Sequence, residues 1–405
     1  MNVLQVMGSF VPSRFGGTQK FCHSLSKELV KRGHSVTVYA SDADVGRARL
    51  KNILGTRFVD GIKVHYFRNL SSLLTDKLII YLPLGIISTA RREISNYDVI
   101  HLQVFRSVQN IVVHHYARKY NTPYILQPHG SIPRVVEGKR GFKWLLKWLF
   151  DAVFGNRILR DASKVLADTE VGVSEAKKAG IEPEKIVLIP LPLDTEEFSQ
   201  LPPPGQFRKK YGIKEKHVVM FLGRIHWIKG LDFLVESFYE LTQLRDDVIL
   251  ALVGPDQGYQ ATLEELIDKL NLSGRVLFTG FLGGEEKLSA LVDADVVVQP
   301  SRYEQAAWAP LEAVLCGTPI IVSQNTGSGE DVKRLDAGYL VEYGDKQGLV
   351  AAIQKILEDP SEARAKAQKA REFITANLSL TKRAEDYEKL YMECIQENKQ
   401  LRRRK

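Results

Sequence analysis

Short runs of buried-type residues alternate with amphipathic stretches from the start of the chain. VLQVM is followed by the loop GSFVPSRFGG, then by TQKFCHSLSKELVKRG with apolar side chains at Phe21, Leu25, Leu29 and Val30, then by SVTVYA. Apolar positions recurring every three to four residues predict a helix, and the short continuous apolar runs on either side predict strands covered on both faces. Gly33 stands where a helix C-cap belongs. The rhythm returns in YDVIHLQ, a helix through VVHHYARKY, PYILQPHG, a long helical region, KVLADT, a short helix at SEAKKAG, and KIVLIP.

Prolines then punctuate the chain at Pro190, Pro192, Pro202, Pro203 and Pro204, ahead of Gly205. From His217 the pattern begins afresh with VVMFLGR, a helix from about Leu231 to Leu244, VILALVG, a helix from Ala261 to Leu270, RVLFTGF, a helix at EEKLSALVDA, DVVVQPS, PIIVS and AGYLVE. Each half therefore predicts an α/β unit built on a doubly wound parallel sheet, with helices on both faces. A chain of 405 residues exceeds what one core usually supports. The expected plan is a Rossmann-like domain over 1–193, a linker over 194–212, a second Rossmann-like domain over 213–378, and a C-terminal helix and basic tail over 379–405 that packs back on the first domain. The two domains are expected to face each other across a cleft.

Ligands of such sheets bind beyond the carboxyl ends of the strands, which directs attention to the loops there. In FLGRIHWIKG, Arg224 and Lys229 follow a strand, with Gly223 and Gly230 allowing close backbone approach. Two cations beside a helix start suit a diphosphate, although they also read as two solvated basic residues. EQAAWAPLE follows another strand, so Glu304 falls in a strand-end loop. Pro310 suits the first position of the next helix, which would put Glu312 in its first turn; there the helix dipole alone accounts for a carboxylate. His129 ends a strand of the first half in YILQPHG. Gly16-Gly17-Thr18 opens the first helix and offers another close approach.

The formal charge of +8 favours anionic partners without choosing among them. No recognisable nucleic-acid-binding module accompanies the basic residues, so no nucleic acid is expected. The longest mainly apolar run, Leu78 to Ala90, is too short to cross a bilayer. The three cysteines, Cys22, Cys316 and Cys394, are far apart and suggest neither a disulfide framework nor a zinc site. A cytoplasmic location fits, with the inner face of a membrane as a second possibility. That possibility rests on residues 139–154, where Lys139, Lys143 and Lys147 interleave with Trp144, Trp148, Leu145, Leu149 and Phe150. Such a helix can lie on an anionic surface, but its apolar face is expected to belong to the domain core.

Taken together, Glu-x7-Glu after a strand, the Gly-Arg…Lys-Gly loop in the same half and the PHG histidine in the other half resemble a retaining glycosyltransferase of family four, with the GT-B fold. The resemblance spans nearly the whole chain. It implies that Arg224 and Lys229 neutralise the diphosphate of a nucleotide-sugar donor, that Glu304 lies by the donor sugar, and that Glu312 binds the ribose hydroxyls. It also implies that His129 reaches toward the transferred sugar, with Gly17, Gly223, Ala307 and Trp308 lining the donor. The implied catalytic set is His129, Glu304, Arg224 and Lys229. The partners would be a nucleotide diphosphate sugar and a glycan or lipid-linked acceptor.

Two departures from the family pattern stand out. Ala306 and Ala307 replace a Phe-Gly pair, and Leu191-Pro192-Leu193 replaces Asn-Gly-Val before Asp194. Asp42-Ala-Asp44 and Asp293-Ala-Asp295 match a short metal-binding carboxylate pattern, but with Arg224 and Lys229 present no metal and no cofactor is expected. A sugar-nucleotide epimerase, a phosphorolytic enzyme and a non-enzymatic sugar-nucleotide-binding relative are the competing readings.

Overall fold

The computed structural model describes residues 1–12, 16–44, 47–133 and 142–403. They form two compact units, one of Met1–Pro192 with Leu380–Lys405 and one of Leu193–Ser379.

The first unit holds β1 (Asn2–Ser9), β2 (Ser35–Ser41), β3 (Gly55–Val59), β4 (Ile62–Asn69), β5 (Pro83–Leu84), β6 (Val99–Gln103), β7 (Tyr124–Gln127), β8 (Lys164–Ala167) and β9 (Ile186–Leu188). The sheet runs β3-β4-β2-β1-β6-β7-β8-β9, with β5 paired to β4. From β4 through β9 along this path the pairs are parallel, whereas β3/β4 and β4/β5 are antiparallel. The β3–β4 hairpin departs from the expected all-parallel rhythm. Its cause is local: Asp60 and Gly61 both take positive φ, 50° and 79°, the pair of conformations that lets a two-residue turn follow strand twist.

Successive residues of a strand face opposite sides of the sheet. Leu4, Val6, Ile100, Leu102, Leu126 and Val165 accordingly enter one buried core. Gln5, His101, Gln103 and Gln127 alternate with them and are also buried. The helix Leu380–Arg403 brings Tyr387 and Tyr391 to these polar side chains.

The second unit is a six-stranded sheet of β10 (His217–Leu222), β11 (Val248–Val253), β12 (Val276–Gly280), β13 (Val296–Gln299), β14 (Ile320–Ser323) and β15 (Tyr339–Val341). Its order is β12-β11-β10-β13-β14-β15, and every pair is parallel. Residues 194–212, read from their prolines as a linker, are packed into this unit, with Phe198 and Phe207 buried in its core. Asp293 holds the segment by accepting from Gly205 N at 2.5 Å and Arg208 N at 3.0 Å, and so caps the helix Gln206–Tyr211. Asp295 accepts from the Arg208 guanidinium at 2.9 Å and Val218 N at 2.8 Å. The Asp-Ala-Asp pattern is thus engaged by protein donors.

Candidate functional site

β10 and β13 are neighbours in the second sheet, so their carboxyl-end loops meet although their sequences are far apart. A backbone bond from Arg302 N to Ile228 O, 2.9 Å, ties the two loops. Arg302 adds a side-chain bond to Trp227 O and an ion pair with Asp232, and lies over the Tyr343 ring. Across this scaffold Lys229 Nζ pairs with Glu304 Oε2. Lys229 ends a 3₁₀ turn, Trp227–Lys229, whose first residues are capped by the His226 ring. Gly230 follows with φ 64°, and a Cβ there would lie 2.1 Å from Pro300 O. Any other residue at 230 would force the two loops apart.

Arg224 is exposed and donates to Gln257 Oε1 at 2.8 Å, in the loop after β11. The loops after β10 and β11 are joined by Ile225 N to Pro255 O and Gln257 N to Ile225 O, each 2.9 Å. Gly223 follows β10, with its N–H on Val253 O. Two strand ends, of β10 and β13, therefore carry Arg224, Lys229 and Glu304 on one edge of the sheet, with the loop after β11 holding Arg224 through Gln257. The two cations differ in setting: Lys229 is buried against a carboxylate, and Arg224 lies at the surface.

The helix after Glu304 begins at Trp308, with Ala307 as its N-cap residue, and runs to Leu315. This start is two residues earlier than the proline suggested. Pro310 is third in the helix, where its missing N–H still has no intrahelical partner to lose. Glu312 then lies beyond the first turn, so the dipole explanation for it weakens. A lysine outside the sequence motifs holds it: Lys287 Nζ lies 2.9 Å from Glu312 Oε1 and 3.0 Å from Glu197 Oε1. Trp308 packs its ring against the core, and Ala306 and Ala307 are half-buried.

His129 and Gly17 belong to the first unit, whereas the remaining site residues belong to the second. Gly17 is the exposed first residue of the helix Gly17–Lys31. His129 follows β7 with φ 48° and packs edge-on to Phe21. Its Nε2 lies 2.6 Å from Gln103 Oε1 and its Nδ1 3.6 Å from Asp168 Oδ2. A directional chain continues from there. Gln103 donates to Gln5 at 2.9 Å, Gln5 donates to the Tyr391 hydroxyl at 3.3 Å, and that hydroxyl lies 2.8 Å from His101 Nδ1. Because the Gln103 amide N–H is committed to Gln5, its oxygen must accept, which fixes the proton on His129 Nε2. Gln127 donates to Asp168 at 2.7 Å and to Tyr387 at 3.4 Å. Burial, followed by the nearby His129, pushes His101 down to about 3.

The thiols of Cys22, Cys316 and Cys394 are pushed up to about 12 by burial, so they are poor nucleophiles. Among the described residues no group of three or more His, Cys, Asp or Glu is placed to hold a metal ion, and no helix is long and apolar enough to cross a membrane.

Two parallel-sheet units in one chain are the frame of a GT-B glycosyltransferase. The family described as Glycosyl transferases group 1 matches residues 205–373, and Glycosyltransferase Family 4 matches residues 15–197. The chain belongs to this family of glycosyltransferases. Among curated relatives it is 25% identical over 261 residues to the 2-deoxystreptamine glucosyltransferase of Streptomyces kanamyceticus, covering 64% of this chain and 67% of that enzyme. It is 23% identical over 368 residues to the uncharacterized glycosyltransferase MJ1607 of Methanocaldococcus jannaschii, covering 89% and 90% of the two chains. Among solved structures, Anabaena Alr3699/HepE in complex with UDP and glucose superposes with a TM-score of 0.78 at 22% identity, covering 97% of this chain and 100% of that one. At that identity the likeness concerns the fold.

Proposed function

We propose that the chain transfers a sugar from a nucleotide diphosphate donor to an acceptor hydroxyl, with retention of the anomeric configuration. The observation that carries this reading is the contact of Lys229 with Glu304 across two strand-end loops, with Arg224 in the same loop as Lys229. An ammonium has three donors, so Lys229 can keep Glu304 in place and still bind a phosphate oxygen. Arg224 and Lys229 would stabilise the charge that develops on the leaving diphosphate. The N-terminal N–H groups of the helix Trp308–Leu315 add to that field. Glu304 would position sugar hydroxyls, and Glu312 would accept from the ribose. The UDP and glucose held by the Anabaena protein support this class of donor.

The first unit would take the acceptor, with His129 ordering the turn after β7. The leaving diphosphate, acting on the same face, would help deprotonate the acceptor hydroxyl, with no divalent ion and no covalent glycosyl intermediate. A panel of UDP-, GDP- and ADP-sugars tests the reading by thermal shift and donor hydrolysis, with proton NMR of the product's anomeric centre. The expected result is one stabilising donor, loss of turnover in Lys229→Ala and Glu312→Ala, and a retained anomer. No donor binding, or turnover unchanged in both variants, overturns it.

A lipid-linked acceptor is favoured by one surface. Lys139 and the side chain of Lys143 lie outside the described residues, but Leu145, Trp148, Leu149, Val153 and Phe154 are between 40% and 52% exposed. Phe150 packs against the core as expected of this segment, but these five side chains do not. Its base is fixed by the Arg106–Asp151 pair, bonded at 2.9 Å and 2.8 Å, while these five apolar side chains stay half in solvent, as a membrane-surface helix requires. Flotation with anionic liposomes should weaken in Trp148→Ser/Leu149→Ser; unchanged flotation removes the membrane from the proposal.

A further inference from the structure

Lys287 lies on the helix Gly284–Asp293 and is 8% exposed. Lysine is seldom buried to this degree unless paired, because its ammonium loses strong hydration. Here the ammonium sits between two carboxylates from separate elements, Glu312 of the helix Trp308–Leu315 at 2.9 Å and Glu197 of the 3₁₀ turn Thr195–Phe198 at 3.0 Å. The Phe198 ring lies 5.4 Å from the ammonium and closes the pocket with an attractive π face. Both carboxylate side chains are themselves largely covered, at 10% for Glu312 and 25% for Glu197.

We propose that Lys287 is a positioning residue for the donor's ribose: it fixes the rotation of the Glu312 carboxylate so that the ribose diol meets it without reorganisation. The inference rests on the reading of Glu312 as the ribose ligand. A carboxylate has about four acceptor positions on its two oxygens, so the bond from Lys287 orients the group without exhausting it. Preorganisation of this kind matters because a hydrogen bond to an ionised acceptor is strong only when its geometry is set beforehand. Glu197 has a different part. It balances the lysine's charge from a separate element, the turn Thr195–Phe198, so its loss should affect stability and not ribose recognition.

The test measures binding of UDP, GDP and ADP to the full chain by calorimetry and, for whichever binds, of its 2′-deoxy and 3′-deoxy analogues. The readout is the ratio of ribo to deoxy affinity. In Lys287→Met this ratio should fall by roughly tenfold or more, the size of a lost hydrogen bond to a charged group. Lys287→Arg should restore most of it, and Glu197→Gln should keep the ratio while lowering the melting temperature. Should Lys287→Met fold poorly, Lys287→Met/Glu197→Gln removes both charges together and is expected to lose the ratio equally. A wild-type ratio in the folded Lys287 variants, with only the melting temperature lowered, overturns the inference and leaves a structural ion pair. A wild-type ratio in Glu312→Gln instead overturns the ribose assignment itself, and the inference with it.

Discussion

The carboxyl edge of the second sheet and the polar face of the first solve opposite electrostatic problems. At the second sheet's edge, formal charges stand at loop ends: Arg224 is exposed, and Lys229 and Glu304 are 10% and 15% exposed at their side chains. On the first sheet, amides, imidazoles and phenols are sealed inside, and Gln5, His101, Gln127, Tyr387 and Tyr391 have no exposure. Charges near water can exchange partners, so the first arrangement suits a ligand that comes and goes. A buried polar network loses heavily when a partner is removed, so the second suits holding a geometry fixed.

The largest effect should separate the two regions. Lys229→Met is expected to lower kcat/KM by about 10²- to 10³-fold, as when one group stabilising developing charge is removed. The double variant Lys229→Met/Glu304→Gln should be equally inactive yet melt close to the wild type, because removing both charges leaves neither unpaired. Steady-state kinetics and calorimetric melting check this. A double variant that unfolds would show that the pair serves the fold. Tyr391→Phe probes the opposite case. Without its hydroxyl, Gln5 Nε2 and His101 Nδ1 both lose a partner, at a cost of about 1–3 kcal/mol. Denaturant melts should show that loss while nucleotide affinity stays unchanged. A matching fall in nucleotide affinity would dissolve the contrast.

A smaller, pH-dependent difference follows from His101. Its folded pKa, about 3, lies below the roughly 6.5 of an unfolded histidine. Between those values the unfolded chain binds the extra proton, so stability rises with pH. The contribution is complete above about 6.5 and is lost as pH falls toward 3, by at most about 1.4 kcal/mol per pH unit. His101→Asn, which keeps an acceptor for Tyr391, should flatten that part of the slope in urea melts between pH 4 and 6.5. His65, His114 and His217, also held low chiefly by burial, supply a background slope that the variant retains. An identical slope in the variant would place the pH dependence outside the polar face.

These two regions were not equally legible. Arg224, Lys229 and Glu304 lie in the loops that follow two strands, and a strand end is visible as an apolar run that stops; the alternating rhythm also showed both sheets. Glu312 was legible as a residue but not in its setting, because Lys287 reaches it through the packing of two helices. A signal was available in Lys287 itself, which shares the buried face of its helix with Leu291, four residues on. The first sheet left a similar trace: VLQVM, VIHLQ and YILQ each carry an amide or imidazole inside an apolar run. Their partners Tyr387 and Tyr391 stand hundreds of positions later, and no local pattern joins the two. The β3–β4 hairpin is announced by Asp60-Gly61, a local turn signal that a parallel α/β rhythm does not contain.

The smallest expected effect concerns metal. Asp293 and Asp295 match a metal-binding spacing, yet Asp293 accepts two backbone N–H groups at the start of a helix and Asp295 holds Arg208 and Val218 N at the start of β10. A cation there would have to displace these bonds and unseat the segment carrying Phe207. If Arg224 and Lys229 supply the positive charge that the leaving diphosphate needs, EDTA should leave the rate of transfer unchanged. Asp293→Asn should then lower the melting temperature through loss of a charged helix cap, about 0.5–2 kcal/mol, without making transfer sensitive to EDTA or Mg²⁺. A rate that falls with chelation and returns with Mg²⁺ would mean that the strand-end cations are not sufficient, and would move the search for missing charge back to the edge where Lys229 is already shared with Glu304.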